Sequence, residues 1–194
     1  MRNTLISSVI AVVLLTIVLG LAYPLVVTGI GQVAFPGQAD GSLIHHDGTV
    51  VGSSLLAQKF AGAKWFHPRP SQTDYNPAGT FFSNNGPNQQ ATKDFLDQQA
   101  EKYLRVEGPD NPGLTRADIP IDAVTTSASG VDPHISPDNA EIQAKRVARV
   151  RGLPLREVQA LIDDHTDGRF LGFVGEAGVN VTELNLALEK EAAR

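Results

Sequence analysis

The chain has 194 residues, of which 42% are hydrophobic and 19% are charged, and its formal net charge at pH 7 is -5. This composition argues against wholesale disorder and against a nucleic-acid binder, because neutralising phosphates requires a basic face. The absence of cysteine excludes both a disulfide framework and a thiolate site.

The N-terminus is a long apolar segment. No charged residue lies between Arg2 and Asp40, and Leu5 to Val27 form a stretch of 23 mostly apolar residues. As a helix this stretch reaches roughly 35 Å, slightly more than the ~30 Å hydrocarbon core of a bilayer. The pattern predicts a single transmembrane anchor over residues 1–28.

A cleaved signal peptide is the alternative, since Gly20-Leu21-Ala22 offers small residues at the spacing that a signal peptidase requires. The uncleaved anchor is favoured, because the apolar region of a signal peptide has about 7 to 15 residues and this one continues through Val27. Gly20 and Pro24 predict a kink near the outer end of the anchor.

The orientation of the anchor follows from its flanking charges. Arg2 and the terminal amine precede it, and no Lys or Arg occurs from residue 3 to residue 58. The positive-inside rule therefore predicts a cytoplasmic N-terminus and an extracytoplasmic C-terminal part. Residues 29–41 are predicted as a linker and residues 42–194 as one domain.

The domain begins with a predicted hairpin, in which β-rich pieces at 42–44 and 49–51 are joined by the turn His46-Asp47-Gly48. Residues 62–88 contain four prolines and several asparagines, so we expect an ordered loop or a binding loop without long regular structure.

Three helices are predicted from apolar spacing. The first covers Gln89 to Val106, with its apolar residues on one face. The second follows Ser136, which can cap it, and ends at Gly152. The third starts at Pro154 and is expected to end at Gly168.

The C-terminal region is predicted as strand at 170–174. Residues 179–188 are either a strand running into a helix or one mixed element, and the periodicity leaves both open. The predicted fold is an α+β (mixed α/β) extracytoplasmic domain preceded by a single N-terminal transmembrane helix.

Histidine offers little support for a metal site. His45 and His46 are neighbours on a predicted strand, so their side chains point to opposite faces and do not converge on one ion. We interpret these two, with His67 and His134, as ordinary surface or loop histidines.

The sequence contains the residue types of a Ser/His/Asp hydrolase: Ser127 or Ser129, with His134 and Asp132. No G-x-S-x-G elbow supports it, and Asp132-Pro133-His134 is more simply a turn leading to the Ser136 cap.

Two further features concern binding. The small residues from 125 to 130 can present backbone amides to a phosphate, although a small-residue strand or close-packing loop is favoured because no Walker lysine follows. Arg69 lies between Pro68 and Pro70, and this constrained cation is a better candidate for a specific ionic contact than for solvent exposure.

A series of short motifs runs along nearly the whole chain: Tyr23-Pro24-Leu25, Gly41-Ser42-Leu43-Ile44, Gly52-Ser53, Phe66-His67, Arg69-Pro70-Ser71, Tyr75-Asn76-Pro77, Ser83-Asn84, Val124-Thr125 through Gly130, Asp132 to Pro137, Arg146-Val147-Ala148, and Val179-Asn180-Val181 with Glu183 to Leu188. In this order and spacing they resemble the C subunit family of the Kdp potassium-transporting P-type ATPase. The chain departs from the family pattern at Thr126, which is usually Ala, and at Thr80-Phe81-Phe82, which replaces a Gly-rich segment.

The resemblance implies a non-catalytic subunit of a four-subunit pump that imports potassium at the expense of ATP, in the bacterial cell (inner) membrane. The implied partners are a channel-like potassium-translocating subunit, the P-type ATPase subunit, a small single-helix subunit and the lipid bilayer. It further implies a catalytic chaperone that raises the ATP affinity of the ATPase subunit, with Ser127 and Gln143 associated with nucleotide.

No catalytic residue, metal or tightly bound cofactor is expected in this chain, and ATP is expected only in the complex with the ATPase subunit. We hypothesise partner contacts at Arg69, Asp132, His134 and Ser136.

The implied topology conflicts with direct nucleotide binding. Cytoplasmic ATP cannot touch Ser127 or Gln143 on an extracytoplasmic domain, so an effect on ATP affinity must travel through the anchor or the channel-like subunit as a coupling free energy. The domain can alternatively cap the outer mouth of the channel-like subunit and stabilise the assembly. From other classes, a membrane-anchored hydrolase using His67 or His134 and a pilin-like structural subunit stay open.

Overall fold

The computed structural model describes residues 2–79 and 83–192, so the departure noted at Thr80-Phe81-Phe82 lies outside the described residues. The chain divides into two units, Met1–Leu43 and Ile44–Arg194.

The first unit is helical. It comprises α1 (Arg2–Ile17), a π-helical segment (Val18–Ala22), α2 (Tyr23–Ala34) and the short α3 (Pro36–Ala39). Residues 2–34 are long and apolar enough to cross a membrane, and none of the residues in that span is buried. This helix fits a membrane-anchored protein.

A π-helical segment lies just before Pro24, in the region where a kink is predicted. Proline lacks an N–H and its ring crowds the carbonyl four residues earlier, here Gly20, so the ladder widens at this turn. The helix also runs to Ala34, into the segment predicted as linker. It ends at Phe35, whose φ of -140° lies outside the helical region, because the following residue, Pro36, disfavours a helical conformation before it.

The predicted hairpin of β1 (Leu43–His46) and β2 (Thr49–Ser53) follows, and all of it except Leu43 belongs to the second unit. Both residues of its turn have positive φ, 48° at Asp47 and 75° at Gly48. This pair of angles matches a type I′ turn, whose twist suits paired strands. Residues 62–79 and 83–88 form neither helix nor strand, as the prolines predict.

In the part of the chain that the structure describes, five α-helices follow: α4 (Gln90–Glu107), α5 (Ile121–Val124), α6 (Pro137–Arg151), α7 (Leu155–Asp164) and α8 (Val181–Ala192). Short 3-10 turns cover Gly108–Asp110 and Arg116–Asp118. The helices predicted around α4 and α6 are confirmed, and Gly152 ends α6 in the left-handed conformation with φ 69°.

A three-stranded antiparallel sheet joins β3 (His134–Ile135), β5 (Gly178–Asn180) and β4 (Thr166–Asp167) in that order. Val179 pairs with Ile135 on one side and Thr166 on the other. Because β4 follows directly, α7 ends at Asp164 rather than at Gly168. The segment left open in the sequence is a strand, β5, running into a helix, α8.

The strand predicted at 170–174 is wrong. Phe170 and Val174 form one isolated bridge around a tight turn, and their neighbours Leu171 and Phe173 are exposed. A buried strand needs a partner surface for its apolar side chains, and these residues find none in the described chain.

The core lies where α6, α7 and α8 meet the sheet. Its buried members come from the three helices, from the sheet and from the irregular loop: Phe66, Ile135, Ala140, Ala144, Val147, Ala148, Val158, Ile162, Val179, Val181, Leu184 and Leu188. Small alanines on α6 allow close helix contact. The mixed α and β class is as predicted.

Candidate functional site

A cavity of about 470 Å³ lies in the second unit, between the loop after the hairpin and the helices α4 and α6. Two tyrosines line it, and both are engaged with the chain itself. Tyr75 Oη donates to the Arg69 carbonyl at 2.9 Å, and Tyr103 Oη donates to Asn139 Oδ1 at 2.9 Å. Burial raises the pKa of Tyr75 to about 12 and also raises the pKa of Tyr103, so both phenols stay protonated.

A buried ion pair forms part of this region. Arg146 Nε lies 3.0 Å from both carboxylate oxygens of Glu107, and the two side chains are 2% and 1% exposed. The guanidinium also donates to the carbonyls of Ala63 and Trp65 and to Gln143 Oε1. Burial raises the pKa of Glu107, and the adjacent Arg146 charge opposes that rise. One arginine therefore ties α4, α6 and the loop together.

Two buried side-chain amides hold the loop backbone at residues 66–67. Gln143 Oε1 accepts from the His67 N–H at 2.7 Å, and its Nε2 donates to the His67 carbonyl at 3.1 Å. Asn185 makes the same pair of bonds to Phe66, both at 2.9 Å. These amides replace the strand partner that the loop lacks, which satisfies the backbone groups of both residues.

Gln143 was associated with nucleotide by resemblance, and its side chain is occupied otherwise. Besides His67, it accepts from Arg146 and donates to Asn139 Oδ1 at 3.0 Å. Gln143 is 2% exposed, and its side-chain amide makes four hydrogen bonds. Sequence reasoning missed Asn185 altogether, although an asparagine inside the apolar run of α8 is a signal for a buried polar contact.

His67 lies in the loop, as expected, and this half-buried residue lines the cavity. Its Nε2 is 3.0 Å from the Gly62 carbonyl. Burial lowers the pKa of His67 to about 4, and the positive charge of Arg146 adds to the shift. The ring is therefore neutral at pH 7, with Nε2–H donating to Gly62.

Arg69 makes an ionic contact within its own chain. Its Nη1 lies 3.3 Å from Asp132 Oδ2, and its Nη2 donates to Thr125 Oγ1 at 3.2 Å and to the Thr126 carbonyl at 3.3 Å. The arginine side chain is 25% exposed. It thus fastens the loop to the segment before β3.

His134 faces two carboxylates. Its Nδ1 is 3.5 Å from Asp132 Oδ1, and its Nε2 is 3.5 Å from Asp167 Oδ2. The Asp132 contact raises the pKa of His134 and lowers the pKa of Asp132. Ser129 Oγ instead accepts from the Val131 N–H at 3.2 Å. Neither ring nitrogen of His134 is directed at a serine, so the Ser/His/Asp triad considered from the sequence is not assembled.

Ser136 caps α6 as predicted, and its Oγ accepts from the Asn139 N–H at 3.2 Å. The same hydroxyl donates to Asp122 Oδ1 at 2.7 Å, and the Ser136 N–H donates to Asp122 Oδ2 at 2.9 Å. Asp122 also accepts from the Asn139 amide, so it organises the whole cap. Sequence reasoning missed Asp122, because its partners lie more than ten residues away.

The segment 125–130 is a close-packing loop, the interpretation favoured from its composition. Gly130 has φ 71°, and a Cβ there would lie 2.7 Å from Thr73 Oγ1, so only glycine fits. The Gly130 N–H donates to the Ser127 carbonyl. Ser127 is not among the residues that line the cavity, whereas Gln143 is. The structure does not bring these two residues together there.

Across residues 2–79 and 83–192, no group of three or more His, Cys, Asp or Glu side chains is placed to hold a metal ion. His45 and His46 are successive residues of β1.

Comparison with known proteins gives a consistent family. The family model described as "K+-transporting ATPase, c chain" matches residues 5–190. A Potassium-transporting ATPase KdpC subunit of Mycobacterium tuberculosis (strain ATCC 25618 / H37Rv) is 45% identical over 193 residues, covering 98% of this chain and 100% of the relative. Those of Caulobacter sp. (strain K31) and Caldanaerobacter subterraneus subsp. tengcongensis are both 47% identical, over 97% and 90% of this chain and 94% and 89% of the relatives.

Proposed function

The chain belongs to the KdpC family, and we propose that it is a non-catalytic accessory subunit that stabilises a high-affinity ATP-driven potassium uptake complex from outside the cytoplasm. The observation that carries the non-catalytic part is the use of the polar groups around the cavity. Tyr75, Tyr103 and Gln143 line the cavity, and their polar atoms are hydrogen-bonded to the chain itself rather than directed into the cavity as free catalytic groups.

We infer that the partners are a channel-like subunit, a P-type ATPase subunit and a small single-helix subunit. Contacts with them are proposed at the surface around Arg69 and the turn from Asp132 to Ser136. This surface is half-exposed and carries charges of both signs, which favours recognition of a polar partner surface.

The proposed location is a bacterial cell membrane, with the N-terminus cytoplasmic. Because the chain lacks cysteine, one introduced thiol reports the side on which the domain lies. Ile121 is 70% exposed and suits this purpose. We expect Ile121→Cys to react with a membrane-impermeant maleimide in intact spheroplasts, and labelling that appears only after permeabilisation would contradict this orientation.

The finer proposal concerns ATP. We propose that the chain raises the ATP affinity of the ATPase subunit indirectly, as a coupling free energy passed through the partner subunits. Two considerations support an indirect route. Gln143 is buried with its amide fully engaged, and an extracytoplasmic domain does not meet cytoplasmic ATP.

The test compares the purified ATPase assembly with and without this chain. We expect its removal to raise the KM for ATP by about 5-fold or more, the range of ordinary allosteric coupling. The isolated full chain in detergent should bind no labelled ATP analogue, and Ser127→Ala in the complex should leave the KM unchanged. Nucleotide bound by the isolated chain, or a KM sensitive to Ser127, would replace the indirect route with direct contact.

A further inference from the structure

The turn between β4 and β5 carries a compact apolar surface. Residues 170–174, here called the apolar tip, contain four large apolar side chains in five residues. Phe170 and Leu171 are each 71% exposed, Phe173 is 74% exposed and Val174 is 48% exposed. A buried strand would hide half of such residues, whereas here all four face outward. The tip therefore exposes apolar area that the described domain does not cover.

The apolar tip is held in shape by its own backbone. The Phe170 N–H donates to the Val174 carbonyl and the Val174 N–H donates to the Phe170 carbonyl, both at 2.9 Å. Leu171 has φ 53°, a left-handed conformation that is strained for a residue with a side chain. A strained residue that keeps an apolar side chain outward points to a role for that exposure.

The base of the tip is charge-neutral. Arg169 Nη2 lies 2.5 Å from Glu176 Oε2, which closes the turn beneath the apolar residues. From residue 170 to residue 175 the side chains have no polar atom. A ligand that needs directional hydrogen bonds therefore finds none from the tip side chains.

Size and composition favour a lipid surface over a protein surface. A stable protein interface covers about 800 Å² on each partner and takes its strongest contacts from Trp, Tyr and Arg. Five residues of Phe, Leu, Gly and Val supply far less area and none of those anchors. Entry into the acyl boundary of a bilayer requires apolar area but no complementary partner shape.

The apolar N-terminal helix would also tether the domain to the bilayer that the tip would enter. The apolar helix of residues 2–34 fits a membrane anchor, and only residues 35–42 connect it to the hairpin that opens the second unit. Covalent tethering keeps the effective concentration of lipid high, so that even weak insertion becomes effective.

We propose that the apolar tip inserts into the interfacial layer of the bilayer that holds the anchor, as a second and reversible attachment of the domain. Because Arg169 is paired with Glu176, insertion depends little on anionic lipid. This inference needs the membrane anchor alone, and it stands whether or not the effect on ATP affinity is found.

The experiment uses the full chain in phosphatidylcholine nanodiscs. A single Phe173→Cys substitution is labelled with an environment-sensitive fluorophore, and Ile121→Cys, 70% exposed outside the tip, is the matched control. At position 173 we expect blue-shifted emission and strong quenching by lipids that carry a shallow spin label. At position 121 we expect neither. Adding Phe170→Ser and Leu171→Ser to the labelled tip should reduce the quenching.

Equal, water-like emission at both positions would overturn the proposal. So would a label at position 173 that becomes shielded only in the assembled pump and is untouched by spin-labelled lipid, since that outcome identifies a protein partner. Similar quenching with and without anionic lipid is expected, and strict dependence on anionic lipid would contradict the role given to the Arg169–Glu176 pair.

Discussion

Two arginine–carboxylate ion pairs in this domain have the same chemistry but differ in burial. Arg146 and Glu107 are 2% and 1% exposed and joined by two contacts of 3.0 Å, whereas Arg69 and Asp132 are 25% and 30% exposed and joined by one of 3.3 Å. Breaking a buried pair leaves an unpaired charge away from water, but breaking an exposed pair leaves a charge that water solvates. The buried pair belongs to the scaffold, whereas the half-buried Arg69–Asp132 pair reaches the surface, where a partner can contact it.

The largest expected effect is at the buried pair. Glu107→Ala strands the Arg146 charge, so we expect the free energy of unfolding to fall by about 3–5 kcal/mol. Denaturant unfolding of the full chain in detergent, followed by circular dichroism, measures it. The matched control is Glu176→Ala, which removes the partner of an exposed arginine and should change stability by less than about 1 kcal/mol. Equal losses in the two variants would remove the distinction.

Two histidines, His67 and His134, also differ in their surroundings, and this difference predicts opposite effects of pH on stability. Burial lowers the pKa of His67 to about 4 from an ordinary value of 6.5, so the unfolded chain binds the proton more readily than the folded one. Its stabilising effect is complete above pH 6.5 and is lost as the pH falls toward 4, by about 3 kcal/mol in total.

The contribution of His134 to stability changes with pH in the opposite direction. Its pKa is raised by Asp132, so its contribution is present at low pH and is lost as the pH rises through the raised pKa. It is half-exposed and its effect is small. Unfolding free energies at several pH values should therefore show a loss below pH 6.5 that His67→Gln removes and His134→Gln retains. If the free energy of unfolding of His67→Gln still falls below pH 6.5, another titrating group causes that fall.

A smaller effect is expected at the helix cap. Ser136→Ala removes the acceptor for the Asn139 N–H and one donor to Asp122, and such caps contribute about 1 kcal/mol. Thermal unfolding should register this loss, while Ser127→Ala should not. A Ser136→Ala variant as stable as the parent would mean that Asp122 alone holds the start of α6.

A similarly small effect on stability is expected at the half-buried Arg69–Asp132 pair. Arg69→Glu should lower the free energy of unfolding by about 1 kcal/mol, yet reduce the recovery of partner subunits on co-purification. Arg156→Glu serves as the control for charge reversal at an exposed arginine outside the tip and outside the proposed contact surface. If Arg69→Glu leaves assembly and potassium transport unchanged, Arg69 is not a partner contact.

Local signals predicted much of the fold. Asp47-Gly48 marks the hairpin turn, and Ser136 with Gly152 brackets α6, because caps and turns depend on neighbours a few residues away. Composition predicts the anchor but not its end, since the helix continues past residue 28 to Ala34, just before Phe35-Pro36.

Long-range pairing was not predictable. Glu107 and Arg146 lie 39 residues apart in sequence, and nothing in either segment identifies the other as its partner. The side-chain amide of Gln143 binds the backbone of His67, which lies 76 positions earlier in the sequence, and that of Asn185 binds the backbone of Phe66, which lies 119 positions earlier. Apolar residues at 170–174 resemble a strand because composition alone does not distinguish a buried strand from an exposed tip.

The central claim, membership in a potassium-transporting ATPase assembly, is tested most directly by affinity purification. A C-terminally tagged full chain is extracted in mild detergent from potassium-starved cells, its companions are identified, and ATPase activity is measured with and without potassium. We predict recovery of a P-type ATPase and a channel-like subunit with potassium-stimulated activity. Recovery of the chain alone, without that activity, would contradict the account.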